Sequence, residues 1–219
     1  MNYFIANWKM NMSIKDIVPW LEKFSKSKLL NSTERKIVIC PSHIHISLLR
    51  ECSHEMGFEV GSQDISIFDK GAHTGEIGNF QVKELCTYTL IGHSERKEPR
   101  EDVIKKSDLA KSVGVTPIVC FVDPSEAKLL DSSNTVLAWE DPENISVDGV
   151  YRGKDETSVE NGIKNIKSII SKNTPLIYGG SVNRENIKLL NKIVGLNGVL
   201  VGNASLDPTH FADIINSCI

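Results

Sequence analysis

A histidine, a serine, a carboxylate and a guanidinium follow one another at the end of an apolar run in "LIGHSERK" (90–97). An imidazole so placed is able to hydrogen-bond a reacting oxygen or move a proton near neutral pH. His93 is equally able to be a hydrogen-bonded structural residue. Glu95 and Arg96 either pair with each other to order the strand end, or divide the work, Glu95 toward a site and Arg96 toward structure. Gly92 lets backbone or ligand come close. A second candidate is Glu140, which closes the apolar run "NTVLAW" (134–139). A carboxylate partly desolvated at such a mouth has its pKa raised toward that of a general base, whereas a solvated loop acid does not. Asp141 is expected to point to the opposite side of the extended chain.

Anion chemistry has three candidate stretches. "ANWKMN" (6–11) sets Lys9, a point charge, beside the amide donor of Asn7; a solvated lysine is the plain alternative. "YGGSVN" (178–183) and "VGNAS" (201–205) are small, glycine-rich turns leading into helices. Such turns gather backbone N–H groups at the positive end of a helix and favour phosphate, although each is also compatible with a tight structural corner. The six histidines and five cysteines show no metal-ligand spacing. His43 and His45 in "PSHIHIS" come closest and fit a helix start better. No dinucleotide fingerprint, P-loop or nucleophile elbow is present.

These residues need elements to carry them, and the chain supplies a repeating set. Eight strand-length, nearly continuous apolar runs occur at 3–6, 36–40, 58–63, 89–93, 117–121, 134–139, 175–180 and 198–202. Continuous hydrophobicity fits parallel strands covered on both faces. Helical periods lie between them. In "IKDIVPWLEKF" (14–24), Ile14, Ile17, Val18, Leu21 and Phe24 form the expected stripe after a Ser13/Asp16 capping box, with Pro19 predicting a kink or a late start. Residues 157–170 open on a Thr-x-x-Glu box, and "DPTHFADII" (207–215) has Asp at the cap and Pro at the first helical position. The segment "DPSEAKLLDSS" (123–133) is too short for a full helix. Alternation of eight units predicts an α/β chain, a single (β/α)8 barrel spanning 1–219, with function where strands end.

Bulk composition narrows the classes. With 219 residues, 40% hydrophobic and 24% charged, the chain has the balance of a globular protein with a sizeable core. A net charge of -3 gives no general attraction to nucleic acid or anionic membrane. Cys40, Cys52, Cys86, Cys120 and Cys218 are scattered and odd in number, which predicts free thiols in a reducing, cytoplasmic compartment. Neither a secretory signal nor a membrane span is expected from "MNYFIANWK".

Taken in order, "ANWKMN", "GAHTGEIG", "IGHSER", "AWE", "YGGSVN" and "VGNASL" resemble the triosephosphate isomerase family over nearly the whole chain. The pairing of "IGHSER" with "YGGSVN" is the most specific part. The resemblance implies a TIM barrel that interconverts dihydroxyacetone phosphate and D-glyceraldehyde 3-phosphate in glycolysis and gluconeogenesis, with no metal or organic cofactor. It implies Glu140 as the base, His93 as the electrophile, Lys9 as the balancing cation, Asn7 as a positioning residue and Glu95 as their support. Ser181, with the amides of Gly202 and Asn203, would hold the phosphate. The short turn opened by Ser94, Glu95 and Arg96 would keep the His93 ring uncharged. Thr74 in "GAHTGE" matches a loop that crosses to a second subunit, so a homodimer is implied, and the short fifth unit resembles that of tetrameric relatives.

The lid departs from the family pattern. Where relatives carry Gly-Thr-Gly, "EDPENISVDG" (140–149) has Ser146, Val147 and Asp148. Ser146 still offers a backbone N–H to phosphate, but hinge freedom falls with two glycines gone. "CFVDPSE" lacks a glutamate usual after strand five, and Asn203 stands where a second glycine is frequent. Two other readings fit the phosphate turns: a different phosphosugar isomerase or epimerase on this barrel, or a phosphate binder without catalysis. The first leaves "IGHSER" with "AWE" unexplained; against the second, every candidate catalytic position is occupied.

Overall fold

In the computed structural model, residues 1–27, 29, 35–142 and 156–218 are described. Residues 143–149 of the lid, Ser146 among them, lie outside these. Eight parallel strands close into a barrel in chain order. They are β1 (Tyr3–Asn7), β2 (Lys36–Cys40), β3 (Glu59–Ser62), β4 (Tyr88–Ile91), β5 (Thr116–Phe121), β6 (Val136–Trp139), β7 (Leu176–Tyr178) and β8 (Gly198–Val201). Closure comes from β1, which pairs with β2 on one side and β8 on the other, Ile5 lying opposite both Val38 and Leu200. The helices are α1 (Ile14–Ser25), α2 (Ile46–Met56), α3 (Asn79–Leu85), α4 (Arg100–Ser112), α5 (Ala127–Leu130), α6 (Glu156–Ile169), α7 (Ile187–Leu190) and α8 (Pro208–Asn216). The predicted (β/α)8 architecture is therefore the observed one. No helix among the described residues is long and apolar enough to cross a membrane.

Strand alternation splits the core in two. Ile5, Val38, Cys40, Leu90, Ile118, Ala138, Ile177 and Leu200 fill the barrel interior. Their neighbours Phe4, Ala6, Ile37, Ile39, Val119, Leu137 and Val199 pack outward against the helices. Each fully buried branched side chain contributes about 1.5–3 kcal/mol, so the barrel wall is a rigid platform for what stands on its rim.

Three local expectations need correction. The buried face of α1 is Ile17, Trp20, Leu21 and Phe24, while Ile14 is 61% and Val18 42% exposed. Trp20 wins the inward position because its ring stacks on Phe24 and meets Trp8 edge-on. Pro19 does not delay the helix, which starts at Ile14. The Ser13 N–H and hydroxyl both donate to Asp16 (2.8 and 2.6 Å), and this cap offsets the donor that proline lacks. Thr157 is not a cap, since α6 already includes Glu156. Elsewhere expectation and structure agree. Asp207 caps α8 by accepting from Thr209 N (2.8 Å) and His210 N (3.0 Å), and α5 is reduced to one turn. His43–His45 form a 3₁₀ turn leading into α2.

Candidate active site

Five strand ends, those of β1, β4, β6, β7 and β8, bring the predicted residues to one rim. On β6, Ala138 points inward and Trp139 outward, so the next position points inward again. Glu140 is accordingly over the barrel mouth and only 2% exposed. The β7 wall makes room for it: a Cβ on Gly179 would lie 3.2 Å from Glu140 Cγ. Asp141, 1% exposed, does not line the cavity at the mouth.

His93 requires a break in the same alternation. With Tyr88 and Leu90 facing inward, position 93 would face the helices. Gly92 adopts φ +72° and turns the chain back. A side chain would be strained there, both by this φ and because a Cβ would meet Val103 and the Cys120 carbonyl at 3.0–3.1 Å. Close approach, the role expected of this glycine, is thus joined by a conformational one. The result sets His93 Nε2 3.2 Å from Glu140 Oε1. Glu140 is held by the same turn: Ser94 N donates to one oxygen (2.8 Å) and Ser94 Oγ to the other (2.9 Å).

The imidazole tautomer follows from its partner. Glu95 N–H donates to His93 Nδ1 at 3.3 Å, and an amide can only donate. Nδ1 is thus the bare nitrogen and Nε2 carries the proton. The Glu95 carboxylate is 3.8 Å from Nδ1, beyond hydrogen-bond range, and serves Lys9 instead. Lys9 Nζ lies 2.6 Å from Glu95 Oε1. Of the two readings for Glu95 and Arg96, the divided one holds. Arg96 bridges Asp64 (2.6 Å) and Glu98 (3.5 Å) below the rim.

A buried ion cluster fixes this turn. Lys106, 4% exposed, donates to both oxygens of Asp64 (2.8 Å each) and pairs with Glu98, which also accepts the Gly92 N–H (3.2 Å). Burial raises the Asp64 pKa despite Lys106. Burial also opposes charge on Glu98, but Lys106, Arg96 and the Gly92 amide outweigh it and leave that pKa lowered.

Lys9 itself sits at φ +53°, a left-handed conformation that a lysine rarely adopts. Its N–H donates to Asn7 Oδ1 (3.0 Å), and its carbonyl accepts from Ser42 Oγ (3.1 Å) and Gln63 Nε2 (2.9 Å). Asn7 therefore acts first on the lysine backbone. Sequence reading missed Gln63, Ser42 and the grip of Ser94 on Glu140. Gln63 was findable, since it ends the third apolar run and strand ends are where such residues belong.

The phosphate candidates stand across the mouth. Ser181, Gly202 and Asn203 line a cavity of about 490 Å³ together with Asn7, Lys9, Glu95 and Glu140. Asn203 starts the 3₁₀ turn Asn203–Leu206 without a positive φ, so asparagine replaces glycine there without strain. A larger cavity, about 770 Å³, opens at the other end over the strand starts Tyr3, Lys36, Tyr88, Thr116 and Val136. None of the candidate residues lies there, so size alone does not mark the site. Among the described residues, no group of three or more His, Cys, Asp or Glu is arranged to hold a metal ion.

A buried carboxylate, an ammonium and two small-residue turns thus share one cavity, with a protonated imidazole nitrogen 3.2 Å from the carboxylate. A sequence profile of the family described as "Triosephosphate isomerase" matches residues 2–218. Proteins of that name are similar along their whole length. The one from Wolbachia pipientis wMel is 33% identical, covering 96% of this chain and 91% of its own. That of Aquifex aeolicus (strain VF5) is 31% identical, covering 97% of each. That of Prochlorococcus marinus subsp. pastoris is 34% identical, covering 96% of each.

Proposed function

Because the chain belongs to the triosephosphate isomerase family and interconverts dihydroxyacetone phosphate and D-glyceraldehyde 3-phosphate, we infer that Glu140 is its base and His93 its electrophile. The observation that carries this is the 3.2 Å separation of Glu140 Oε1 and His93 Nε2 at the mouth of the barrel. In the reaction a C–H bond beside the carbonyl breaks. Its electron pair forms the C=C of an enediolate, the carbonyl π pair moves to oxygen, and the proton passes to Glu140. Glu140 returns the proton to the former carbonyl carbon, while the hydroxyl proton of the first carbon passes to the former carbonyl oxygen through His93, so that the C=O re-forms on the first carbon. His93 Nε2–H donates to the oxygen as charge grows on it, and a donor in place before that moment is worth several kcal/mol, roughly 3–4.

Glu140 leaves Ser94 to act, since both of its oxygens accept from that residue. Lys9 offsets the negative charge of the substrate once its ammonium turns from Glu95. Ser181 and the amides of Gly202 and Asn203 receive the phosphate, and the Ser146 amide completes the cradle from the lid. The reading is tested by a coupled assay with D-glyceraldehyde 3-phosphate on wild type and Glu140→Asp. Removing one methylene misplaces the base by about 1 Å, and kcat falls about 10²-fold. An unimpaired variant would mean that another group takes the proton.

We further propose a homodimer in the cytoplasm. Residues 69–76, with Thr74, stand in water as a loop braced by the Phe68–His73 stack (centroids 3.9 Å). Met10 (95% exposed) and Ile44 (84%) are large apolar side chains that a partner would cover. Higher assembly through the one-turn α5, where Leu129 is exposed, is the second reading. All five cysteines are free, which supports a reducing compartment.

A further inference from the structure

Two turns build the phosphate end of the cavity, and His210 of α8 bonds to the backbone that follows the first of them. The turn after β7 is knitted internally: Asn183 Oδ1 accepts from Glu185 N (2.9 Å) and Asn186 N (3.0 Å), and Asn186 Nδ2 donates to the Ser181 carbonyl (2.7 Å). The turn after β8 runs through Gly202 and Asn203 to Asp207, whose carboxylate caps α8. His210, in the first turn of α8, lines the same cavity as Ser181 and Asn203. Its Nε2 receives the Arg184 N–H at 3.0 Å. Arg184 also meets Asp213 of α8, weakly, at 3.5 Å with both side chains about half exposed.

We propose that His210 is a positioning residue for phosphate, holding the Ser181 turn against the Gly202–Asn203 turn through its bond from Arg184 N–H, and releasing it on protonation. This rests on the reading that those turns bind the substrate's phosphate. A backbone N–H can bond only to a bare ring nitrogen, so the tie exists when the imidazole is neutral and vanishes when it is charged.

The surroundings favour the neutral form at ordinary pH. Burial and then the charge of Arg184 lower the pKa of His210, against the opposing carboxylates of Glu185, Asp207 and Asp213. Lys23 of α1 faces Asp207 and helps to keep that carboxyl ionised. A lowered histidine pKa means that the tie is intact at neutral pH and is lost as pH falls through the lowered value.

The experiment measures KM and kcat for D-glyceraldehyde 3-phosphate between pH 5 and 8 in wild type, His210→Ala and His210→Gln. Glutamine keeps an acceptor for the Arg184 N–H and does not titrate. Ratios to wild type cancel the ionisation of the substrate itself. At pH 8, KM of His210→Ala is expected to be about fivefold above wild type, the worth of one hydrogen bond, with kcat little changed. That ratio should fall toward one in acid, where wild type has lost its own tie. His210→Gln should match wild type at pH 8 and bind more tightly than wild type in acid.

A KM ratio of one for His210→Ala at every pH overturns the proposal. So does wild type binding more tightly than His210→Gln in acid, which would make the imidazolium an anion-attracting charge. An inactive wild type would instead count against the functional reading. Should His210→Ala fail to fold, the pH dependence of His210→Gln decides alone.

Discussion

Gln63 is the most informative residue to change, because it does not line the cavity and acts on the Lys9 backbone. Its amide donates to the Lys9 carbonyl (2.9 Å) and the Cys40 carbonyl (3.0 Å), pinning a lysine at φ +53°. Left-handed backbone costs an L-residue about 1–2 kcal/mol. Three bonds to the Lys9 backbone, from Asn7, Ser42 and Gln63, offset this at about 1 kcal/mol each. Gln63→Ala removes one of the three and brings the two sides to rough balance, so about half the molecules keep Lys9 in place. Gln63→Glu keeps the shape but sets a carboxylate against two carbonyl oxygens. Each further 1.4 kcal/mol or so of deficit is tenfold in the population of the placed conformer. In the coupled assay, kcat/KM should fall about twofold for Gln63→Ala and about tenfold or more for Gln63→Glu, on this arithmetic. Circular dichroism and a thermal melt establish that each variant is folded. A folded Gln63→Glu protein within twofold of wild type would show that the lysine needs no pinning, and the strain argument would fail.

Two further outcomes follow from packing. Gly179→Ala places a Cβ 3.2 Å from Glu140 Cγ, which must shift by a few tenths of an ångström. Its kcat should fall about three- to tenfold in the same assay with the melting temperature nearly kept, and an unchanged kcat would mean that the base has slack there. Of the five thiols only Cys52 is partly exposed, and burial raises its pKa. A thiol reagent should therefore modify Cys52 first, faster as pH rises, and reach Cys40, Cys86, Cys120 and Cys218 only on unfolding; mass spectrometry of the early product checks the order.

The residues on the rim were legible in the chain because a strand is a local object. Its length, its continuous hydrophobicity and the polar residue that ends it are all written consecutively, so Glu140, His93, Lys9 and Ser181 announce themselves as strand-end side chains. The one-turn α5 and the Asp207 cap are local as well, set by a short connection and by a side chain two and three residues from its donors. The buried face of α1 was misread at Ile14 and Val18, since periodicity names a stripe but the neighbouring rings of Trp8 and Phe24 choose Trp20.

What the tertiary structure decided is which rim residues meet. Strict alternation aims His93 away from Glu140, and the φ of Gly92, where Val103 and Cys120 of other elements leave little room for a side chain, turns it back. The hold of Ser94 on Glu140, the pairing of Lys9 with Glu95, and the bonds from Gln63 and to His210 all join residues far apart in sequence. Such contacts exist only where the closed barrel brings the ends of different strands together. Until the barrel closes, each of these side chains has water for a partner, and nothing in its own stretch of chain says which group will replace it.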